Sequence, residues 1–382
     1  MNILFLALDV DLAIPKGDSI HVTELTKALA ARGHRMSVIA ASPPATHDRD
    51  RETGTRYYSC TVRSNSAVLR FCLEIARQTR PDVIYERRLS PKISFVLSRL
   101  VGVPFFVEIN GIEQEASMLA TPRHHAFRSI RLFLRARMFW RASGIVAVTP
   151  QLSDYIARSY RIGQMRIATV ANGVDPHTFL PRDRDEARNF LGLPHCPILL
   201  FVGNLVPWQG LETLLHAIPA ILENQPGALL VIVGDGVMRS RLESLAANLG
   251  VLPRIVFAGM VPHDVVPLYI GASDVCVAPF TIERNQMIGL SPLKLYEYMA
   301  CSRPVVASDL PGIGGLLRSS ASGIPVTPDD PKSLGIALNE LLNDPEQATK
   351  MGARGREFVL KEQTWSRVAE RIEPLLSRTV TA

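Results

Sequence analysis

The sequence predicts an α/β protein made of two doubly wound domains, each built around a parallel sheet. Short apolar runs alternate with helical patterns twice along the chain, which is typical of parallel strands with helices on both faces of the sheet. The 382 residues are too many for one hydrophobic core and suit two domains of about 150–200 residues. Because 47% of the residues are hydrophobic and 20% are charged, each half can bury a core, and global disorder is excluded.

The first half contains six runs with the length and composition of buried strands. These runs cover 2–8, 35–40, 82–85, 104–108, 144–148 and 166–170. Segments with helical spacing of apolar residues separate them, as in 20–31, 91–100 and 152–160. The first run has no basic leader and is followed at once by Asp9 and Asp11, so it predicts a strand and not a signal peptide.

The second half repeats this pattern. Its strand-like runs cover 198–203, 228–234, 255–259, 274–279, 304–308 and 323–327. Between the halves, prolines and the charge run Arg182–Arg188 interrupt the pattern over 175–196 and indicate a linker. We therefore expect domains at 1–175 and 176–363, and a helix in 364–382 that packs back towards the first domain. Ligands of doubly wound sheets lie at the carboxyl ends of the strands, which predicts a site in a cleft between the domains.

Composition and charge narrow the class of protein further. The five cysteines are scattered and form no Cys-x-x-Cys pair, which disfavours a disulfide framework and a zinc site. No run of 18 apolar residues is present, so no membrane-spanning helix is predicted and we expect a cytoplasmic protein. Residues 1–180 hold 24 basic and 15 acidic side chains, and residues 181–382 hold 18 and 21. The net charge of +6 therefore comes from the first domain.

The most informative motif, Gly-Leu-Ser-Pro-Leu-Lys-Leu-Tyr-Glu-Tyr-Met-Ala, covers 289–300. Ser291 is a good N-cap and Pro292 suits the first helical position, so the motif predicts the start of a helix. The N–H groups and dipole at such an end favour a bound phosphate, and Lys294 adds a cation. Glu297 lies on the same side of the helix and can accept hydrogen bonds from two ribose hydroxyls. A capped helix with a solvated Lys–Glu pair is the structural alternative.

This motif resembles the C-terminal signature of retaining glycosyltransferases of the large sucrose-synthase-like and mannosyltransferase-like family, whose GT-B fold consists of two facing Rossmann-like domains. The second Glu of that signature matches Glu297, and its Pro-Val-Val-Ala block matches 304–307. The resemblance implies that Glu297 binds the ribose of a nucleoside diphosphate sugar. The first Glu falls on Gly289, so its contact with the sugar does not carry over, and Glu283 or the loop 281–290 is the candidate substitute.

Further blocks in the family's order extend the resemblance over nearly the whole chain. They are found at 16–25, 31–34, 172–175, 201–203, 210–215 and 233–236. Gly17 permits a close approach of backbone to a ligand just before a helix, with Asp18 or Ser19 as the cap. In the family this loop closes over the donor phosphates and shapes the acceptor pocket. A plain strand-to-helix turn is the alternative.

Two positions depart from the family's pattern for binding the diphosphate. The family typically has Arg and Lys where this chain has Asn204 and Gln209. Those cations neutralise the charge that grows on the leaving diphosphate, whereas amides donate hydrogen bonds without a charge. Lys294, the helix ends and an arginine such as Arg87 would have to compensate. We interpret the departure as a variation within the family and not as loss of activity.

The first domain has its own candidate residues at the end of the run 104–108. Many family members carry a His near the reacting carbon there, and this chain has Asn110, in a pattern that resembles a Glu-Val-Asn variant. Asn110 is expected to hydrogen-bond the transferred sugar or the acceptor, and Glu113 to orient the acceptor hydroxyl. Glu108 is predicted to be partly buried, paired with an arginine and without a catalytic role. His21, one turn into the first helix, is either a packing residue or part of the acceptor site.

The predicted site residues fall into three groups. Donor binding is assigned to Gly17, Asn204, Gln209, Gly234, Asp235, Ser291, Pro292, Leu293, Lys294 and Glu297. Catalysis is assigned to Asn110, Glu113 and Lys294. Acceptor binding is assigned to Asp18, His21, Arg87 and Asn110. We expect neither a metal nor a cofactor, because no carboxylate-rich metal motif is visible in the sequence.

A basic segment at 122–141 lies within 116–153, a stretch without any acidic residue. Arginines recur there among Phe127, Ile130 and Trp140. A basic amphipathic helix of this kind can lie on an anionic membrane surface, and a helix with one core face is the alternative. Nucleic acid is disfavoured as a partner, because the aromatic residues form no stacking platform.

The resemblance thus implies a retaining transferase that moves a hexosyl group from a nucleoside diphosphate sugar to the hydroxyl of a glycan or a lipid-linked acceptor. The family favours UDP over GDP as the nucleotide. A non-catalytic relative that binds sugar nucleotide or regulates a partner is one alternative, and a sugar-nucleotide epimerase of the same fold is another.

Overall fold

The computed structural model describes residues 1–44, 54–62, 64–112 and 128–380. The chain divides into two compact units, Met1–Asn172 with Trp365–Ala382, and Gly173–Thr364. Each unit contains a parallel sheet with helices between its strands, which confirms the predicted α/β class of two doubly wound sheets. Glu113 and the first part of the basic segment lie outside the described residues.

The first unit is built around a seven-stranded sheet. Its strands are β1 (Asn2–Asp11), β2 (Arg35–Ser42), β3 (Arg56–Ser59), β4 (Val83–Arg87), β5 (Phe105–Ile109), β6 (Gly144–Ala147) and β7 (Ile167–Thr169). They run parallel in the order β3-β2-β1-β4-β5-β6-β7. The side chains Ile3–Ala7 of β1 are at most 1% exposed, as expected for a central strand that is covered on both faces. The strand order reverses between β1 and β4, so ligands are expected where these strands end.

Helices connect these strands. They are α1 (Gly17–Ala31), α2 (Asn65–Thr79), α3 (Lys92–Val101), α4 (Arg128–Arg141) and α5 (Pro150–Tyr160). Several begin at side-chain caps: the Oγ of Ser64 accepts from the N–H of Ala67, and the Oγ1 of Thr149 accepts from the N–H of Leu152. The first helix begins at Gly17, after Lys16 at the N-cap, so the prediction of Asp18 or Ser19 as the N-cap is wrong. Ser19 lies inside the first turn, where its Oγ accepts from the N–H of Lys16 at 2.9 Å.

The C-terminal helix, α15 (Trp365–Val380), belongs to the first unit and packs on α1. The Nε of Arg32 donates to the Oε2 of Glu373 at 2.8 Å. The ring of Trp365 meets the ring of His21 edge to face, with centroids 5.2 Å apart. The last helix therefore supports the helix that follows β1.

The second unit repeats the design with six strands. They are β8 (Ile198–Val202), β9 (Leu229–Val233), β10 (Ile255–Gly259), β11 (Val275–Ala278), β12 (Val305–Ser308) and β13 (Gly323–Val326). These strands are parallel in the order β10-β9-β8-β11-β12-β13. The strand order reverses between β8 and β11, where Gly203 and Pro279 follow the two strands.

The helices of the second unit are α6 (Arg184–Leu191), α7 (Leu211–Asn224), α8 (Arg239–Asn248), α9 (Val266–Ala272), α10 (Ile282–Ile288), α11 (Leu293–Ala300), α12 (Gly314–Ser320), α13 (Pro331–Asn343) and α14 (Pro345–Glu362). Two apolar clusters form the core, one on each face of the sheet's apolar strands. The first contains Leu214, Leu338 and other side chains of α7 and α13. The second cluster includes side chains of α11, among them Tyr298 and Met299, which are fully buried.

Two sequence-based interpretations of local structure were incomplete. The charge run that indicated a linker forms α6, which begins at a cap where the Oδ1 of Asp183 accepts from the N–H of Glu186 at 2.9 Å. Arg188 on α6 donates to the carbonyl of Ala272 and to Asp274, so α6 is part of the second unit. The short strand β3 was missed, because its sequence Arg-Tyr-Tyr-Ser contains no aliphatic run and its side chains are half-buried or exposed.

Candidate functional site

In the second unit, glycines bring the ends of β8 and β9 into direct backbone contact. The N–H of Gly203 donates to the carbonyl of Val233 at 2.9 Å. A Cβ atom on Gly234 would lie 2.1 Å from the carbonyl oxygen of Gly203, and the φ of Gly234 is +123°. Only glycine fits such a position without a steric clash or backbone strain. The predicted donor residue Gly234 thus has a defined structural role at the carboxyl edge of the sheet.

Lys294 places a buried ammonium group at this edge. Its side chain is 8% exposed, and its Nζ lies 3.9 Å from the ring centroid of Phe201. A Cβ atom on Gly203 would lie 2.7 Å from that Nζ, so glycine there makes room for the lysine. Burial lowers the pKa of Lys294 from 10.5 to about 7, and nearby Glu297 opposes the shift. The carboxylate of Glu297 therefore offsets only part of the cost of burying the ammonium group of Lys294.

Gln209 is the partner of that ammonium group. The Nζ of Lys294 donates to the Oε1 of Gln209 at 2.7 Å. Gln209 ends a short 3₁₀ turn, Pro207–Gln209, and the next residue, Gly210, has a φ of +71°. A Cβ atom on Gly210 would lie 1.7 Å from the carbonyl oxygen of Pro279, so glycine lets the turn sit against the end of β11. The structure brings together two predicted donor residues that are 85 positions apart.

The helix start at the signature motif differs by one residue from the prediction. The helix α11 begins at Leu293, and Pro292 is the N-cap with a ψ of 128° and no side-chain cap. Ser291 is therefore not the N-cap, because the extended backbone at Pro292 moves the first helical residue to Leu293. The Oγ of Ser291 lies 3.4 Å from the Oη of Tyr296 instead. Pro292 and Leu293 are half-buried beside it.

Glu297 lies one turn further along α11 and is 7% exposed. Its Oε1 is 3.2 Å from the Nε2 of His263. The ring of His263 in turn packs on the ring of Phe179, with centroids 5.1 Å apart. A carboxylate has about four acceptor positions, so Glu297 can accept further hydrogen bonds from a ligand. His263 is not among the residues that the sequence predicts for the site, and no motif in the sequence marks it.

The other two predicted donor residues of this unit lie at its surface. The side chain of Asn204 is exposed. Asp235 is also about half exposed, and its Oδ1 accepts from the N–H of Gly236 at 2.7 Å. Asp235 further lies 3.8 Å from a guanidinium nitrogen of Arg239. These contacts shape the turn after β9, and neither side chain contacts Lys294 in a hydrogen bond that the structure describes.

In the first unit, a buried carboxylate organises the ends of β4 and β5. Glu108 is 1% exposed, and its Oε1 lies 2.6 Å from the Nε2 of His21. The Oη of Tyr85 donates to Oε2 at 2.7 Å, and the Nδ2 of Asn110 donates to Oε1 at 2.9 Å. Burial alone would raise the pKa of Glu108, but the charges and hydrogen bonds of His21, Arg87 and Tyr85 lower it to about 2.

The structure confirms the predicted arginine partner of Glu108 and corrects its predicted partial burial. The carboxylate is fully buried, and its shortest contact is with a histidine, while the Nε of Arg87 lies 3.7 Å away. His21 is 4% exposed, and its other ring nitrogen, Nδ1, is 2.8 Å from the Oδ1 of Asn172. Both nitrogens of His21 therefore face protein groups. No sequence pattern indicates the pairing of Glu108 with His21, because the two residues belong to different strand–helix units.

Besides the Nε2 of His21, which is ion-paired with Glu108, two buried polar atoms beside this carboxylate make no hydrogen bond among the residues that the structure describes. They are the Oδ1 of Asn110 and the Nε of Arg87, whose contact with Glu108 is the ion pair at 3.7 Å. Unpaired buried polar atoms are rare and indicate water or a ligand that completes them. One atom accepts and the other donates, so a hydroxyl group could pair with both.

The loop before α1 contains the remaining predictions. Gly17 is exposed and is the first helical residue, so its backbone is not in the left-handed region. Asp18 is half-buried, and its Oδ1 accepts from the N–H of Ser19 at 3.0 Å. The position of Glu113 is outside the described residues.

Two negative findings concern the described part of the chain. No group of three or more His, Cys, Asp and Glu side chains there is arranged to hold a metal ion. Likewise, none of its helices is both long enough and apolar enough to cross a membrane.

Comparison with known proteins identifies the family. The family model described as Glycosyl transferases group 1 matches residues 183–358, and that of Glycosyltransferase Family 4 matches residues 15–178. Alpha-D-kanosaminyltransferase of Streptomyces kanamyceticus is 26% identical over 260 residues, which cover 67% of this chain and 66% of that protein. The GDP-mannose-dependent alpha-(1-6)-phosphatidylinositol monomannoside mannosyltransferase of Mycolicibacterium smegmatis is 31% identical over 211 residues, or 54% of each protein.

The aligned segments thus span between about half and two thirds of these two relatives. A solved structure covers more of the chain: Anabaena Alr3699/HepE in complex with UDP-glucose has a TM-score of 0.79 over 99% of this chain and 100% of that chain, at 18% identity. Such a likeness establishes the fold. With two parallel-sheet units and a matching family model over most of each, the chain belongs to the family-4 type of GT-B glycosyltransferases.

Proposed function

We propose that the protein transfers a hexosyl group from a nucleoside diphosphate sugar to an acceptor hydroxyl. The observation that carries this proposal is the buried ammonium group of Lys294 at the carboxyl edge of the second sheet. A cation that is desolvated and has one amide oxygen as hydrogen-bond partner gains most from an anionic ligand. The diphosphate of a sugar nucleotide supplies such an anion.

In this proposal the second unit holds the donor. Lys294 keeps two of its three N–H donors for phosphate oxygens beyond its bond to Gln209. During transfer the glycosidic oxygen of the donor becomes part of the leaving diphosphate and gains negative charge. A preorganised cation close to that charge lowers the barrier to transfer. In this proposal Lys294 takes the role that Arg and Lys have in relatives with the usual pattern. Glu297 accepts hydrogen bonds from the ribose, and Gly234 lets the backbone approach the ligand.

The first unit is proposed to hold the acceptor. The Oδ1 of Asn110 accepts a hydrogen bond from an acceptor hydroxyl, and the Nε–H of Arg87 donates a hydrogen bond to the oxygen of that group. Glu108 supports both side chains and is itself too buried to reach a substrate. His21 is then a positioning residue that holds Glu108. We further propose Glu113 as a residue that orients the acceptor hydroxyl.

The finer chemistry is also proposed. We favour UDP as the nucleotide, with support from the UDP-glucose named for the Anabaena structure, whereas the mycobacterial relative is named for GDP-mannose. We expect transfer with retention of the anomeric configuration, in keeping with the resemblance of the signature motif. We also expect turnover to persist in EDTA, and a loss of turnover that added Mg²⁺ or Mn²⁺ restores would contradict that expectation.

A screen of UDP-, GDP- and ADP-sugars by thermal shift tests the proposal. A ligand at a hundred times its dissociation constant adds about 2.7 kcal/mol of stability, which such a screen detects readily. Glu297→Ala should weaken binding of the selected sugar nucleotide at least about tenfold, because it removes hydrogen bonds to a charged acceptor. Glu357→Ala, an exposed carboxylate on α14, is the matched control and should bind as the unaltered protein does. Unchanged affinity of Glu297→Ala for every sugar nucleotide would contradict the assignment of Glu297 to donor binding.

A non-catalytic sugar-nucleotide-binding protein is the second candidate, favoured by the amides Asn204 and Gln209 in place of cations. Release of nucleoside diphosphate in the presence of an acceptor library distinguishes the two. Binding without any release supports the second candidate. Conversion of the sugar nucleotide without an acceptor would instead indicate an epimerase.

A further inference from the structure

The helix α4 has an unusual outward face. Six side chains repeat at helical spacing along it and are exposed: Ile130, Phe133, Leu134, Arg137, Trp140 and Arg141. On the opposite side, Met138, Phe139 and other side chains are buried against the first unit. A helix at the surface of a globular protein normally turns polar residues outward. Here the outward stripe is apolar, with arginines as its only charged members.

The neighbouring helix α3 extends this face. Val96, Arg99 and Leu100 lie on its outward side, and all three are exposed. We call these three side chains and the six of α4 the α3–α4 surface. Six of the 18 exposed large hydrophobic side chains among the described residues belong to it. A contiguous apolar surface of this kind marks an interaction site.

A groove of about 240 Å³ runs between the two helices. It is lined by Phe95, Arg99, Phe133, Arg137, Trp140 and Arg141. The guanidinium carbon of Arg99 lies 4.0 Å from the ring centroid of Phe95. The indole N–H of Trp140 donates to the carbonyl of Tyr160 at 3.0 Å, which fixes the ring at the surface. The groove therefore offers cations beside flat aromatic faces.

The charge of this surface is of one sign. Neither α3 nor α4 contains an aspartate or a glutamate. Apolar side chains rimmed by arginines match the interface of a bilayer that contains anionic lipids, because the phosphates meet the guanidinium groups while the apolar side chains enter the acyl boundary. A soluble acidic protein would satisfy the arginines but would not require so many exposed aliphatic side chains.

We propose that the α3–α4 surface docks on the headgroup region of an anionic phospholipid bilayer. Ile130, Phe133 and Leu134 enter the interface, and the arginines of the groove contact lipid phosphates. The docking itself is independent of the donor chemistry. Only its consequence, delivery of the first unit to a lipid-borne hydroxyl acceptor, rests on the proposed function.

Flotation of the full chain with vesicles tests the docking. Vesicles of phosphatidylcholine alone should bind weakly, and vesicles that also contain phosphatidylglycerol should bind strongly, with a loss at high salt. Arg137→Gln combined with Arg141→Gln should lower the partition coefficient about thirtyfold, since each basic side chain near an anionic surface contributes a little more than about fivefold. Phe133→Ser combined with Leu134→Ser should lower it at least about tenfold.

Matched controls keep the test specific. Phe190→Ser and Arg354→Gln alter an exposed phenylalanine on α6 and an exposed arginine on α14, and should leave binding unchanged. Thermal unfolding and binding of sugar nucleotide should be the same in all variants, so a lost donor site cannot be mistaken for lost docking. Inorganic phosphate at millimolar concentration should not release the protein from vesicles.

Three results would overturn the proposal. The first is equal binding to neutral and anionic vesicles, or no binding at low salt. The second is an equal loss in the control variants. The third is a dimer in sedimentation that Phe133→Ser with Leu134→Ser dissociates, because the surface would then bind a second copy of the chain.

Discussion

Lys294 is the position at which the donor site can be tested most sharply, because burial disfavours the charged form of its side chain. Burial lowers its pKa from 10.5 to about 7. At roughly 1.4 kcal/mol per pKa unit, this shift corresponds to about 5 kcal/mol. Lys294→Met removes that cost and places an apolar chain against Phe201. It also leaves the Oε1 of Gln209 without its donor, which costs about 2 kcal/mol. The variant should therefore be about 3 kcal/mol more stable.

The dependence of this gain on pH has a definite sign. Between pH 7 and 10.5 the unfolded chain binds a proton at Lys294 that the folded chain has released, so the unaltered protein becomes more stable as pH rises. The stability that Lys294→Met gains over the unaltered protein is thus greatest below pH 7 and decreases as pH rises towards 10.5. For a domain of this size, about 3 kcal/mol corresponds to roughly 6–12 °C in unfolding temperature.

Thermal unfolding at about pH 6.5, where the stability gain is nearly complete, and at about pH 9, where it is smaller, measures the stability change. Calorimetry with UDP measures the binding change. The unaltered protein should take up a proton when it binds UDP near pH 8, because the phosphates restore the charged form of Lys294. This uptake appears as a binding enthalpy that depends on the buffer. Lys294→Met should bind UDP at least about tenfold more weakly and show no such dependence. Lys332→Met, an exposed lysine on α13, is the control and should change neither property.

Either of two results would refute this reasoning. One is a Lys294→Met protein that unfolds at a lower temperature than the unaltered protein at pH 6.5. The other is unchanged UDP affinity together with a buffer-independent enthalpy in the unaltered protein. The first would show that the ammonium group is well compensated where it lies, and the second that no phosphate reaches it.

Two further substitutions test the architecture of the two sites. Gly234→Ala should destabilise the protein by about 3 kcal/mol, because the new Cβ would lie 2.1 Å from a carbonyl oxygen at a φ of +123°. Gly227→Ala, where a Cβ meets nothing within 4 Å, is its control in denaturant titration and should be nearly neutral. Glu108→Gln should cost about 3–5 kcal/mol at pH 7, since it breaks a buried ion pair, whereas Tyr85→Phe should cost about 1 kcal/mol. The stability that Glu108 supplies is present above pH 4.5 and is lost as pH falls towards 2, so a Glu108→Gln protein with an unchanged acid-unfolding profile would contradict its lowered pKa.

The strands of both sheets could be predicted because each is a short apolar run between turn signals. Burial of β1 and β8 on both faces requires continuous apolar sequence, and this requirement is visible residue by residue. The exception, β3, pairs along one edge only, with side chains that are half-buried or exposed, so composition does not distinguish it from a loop.

Local chemistry also predicted part of the candidate donor site. Lys294 and Glu297 are three residues apart on one helix, and their proximity follows from helix geometry. The helix start was placed one residue early, because a serine before a proline satisfies the same pattern whether the proline is the N-cap or the first helical residue. The helix α6 was mistaken for a linker, because its charges and flanking prolines outweigh two buried side chains, Ala187 and Arg188.

The sequence by itself determined the α/β class, the two parallel sheets and the helix that carries Lys294 and Glu297, because these depend on short-range periodicity. The tertiary structure alone decided that Lys294 meets Gln209, that Glu297 meets His263 and that Glu108 pairs with His21. Those contacts join elements far apart in the chain, and their electrostatics depend on burial, which no local pattern encodes. Desolvation lowers the pKa of Lys294, while close partners lower that of Glu108 despite its burial. The charges that a ligand would meet are therefore set by packing.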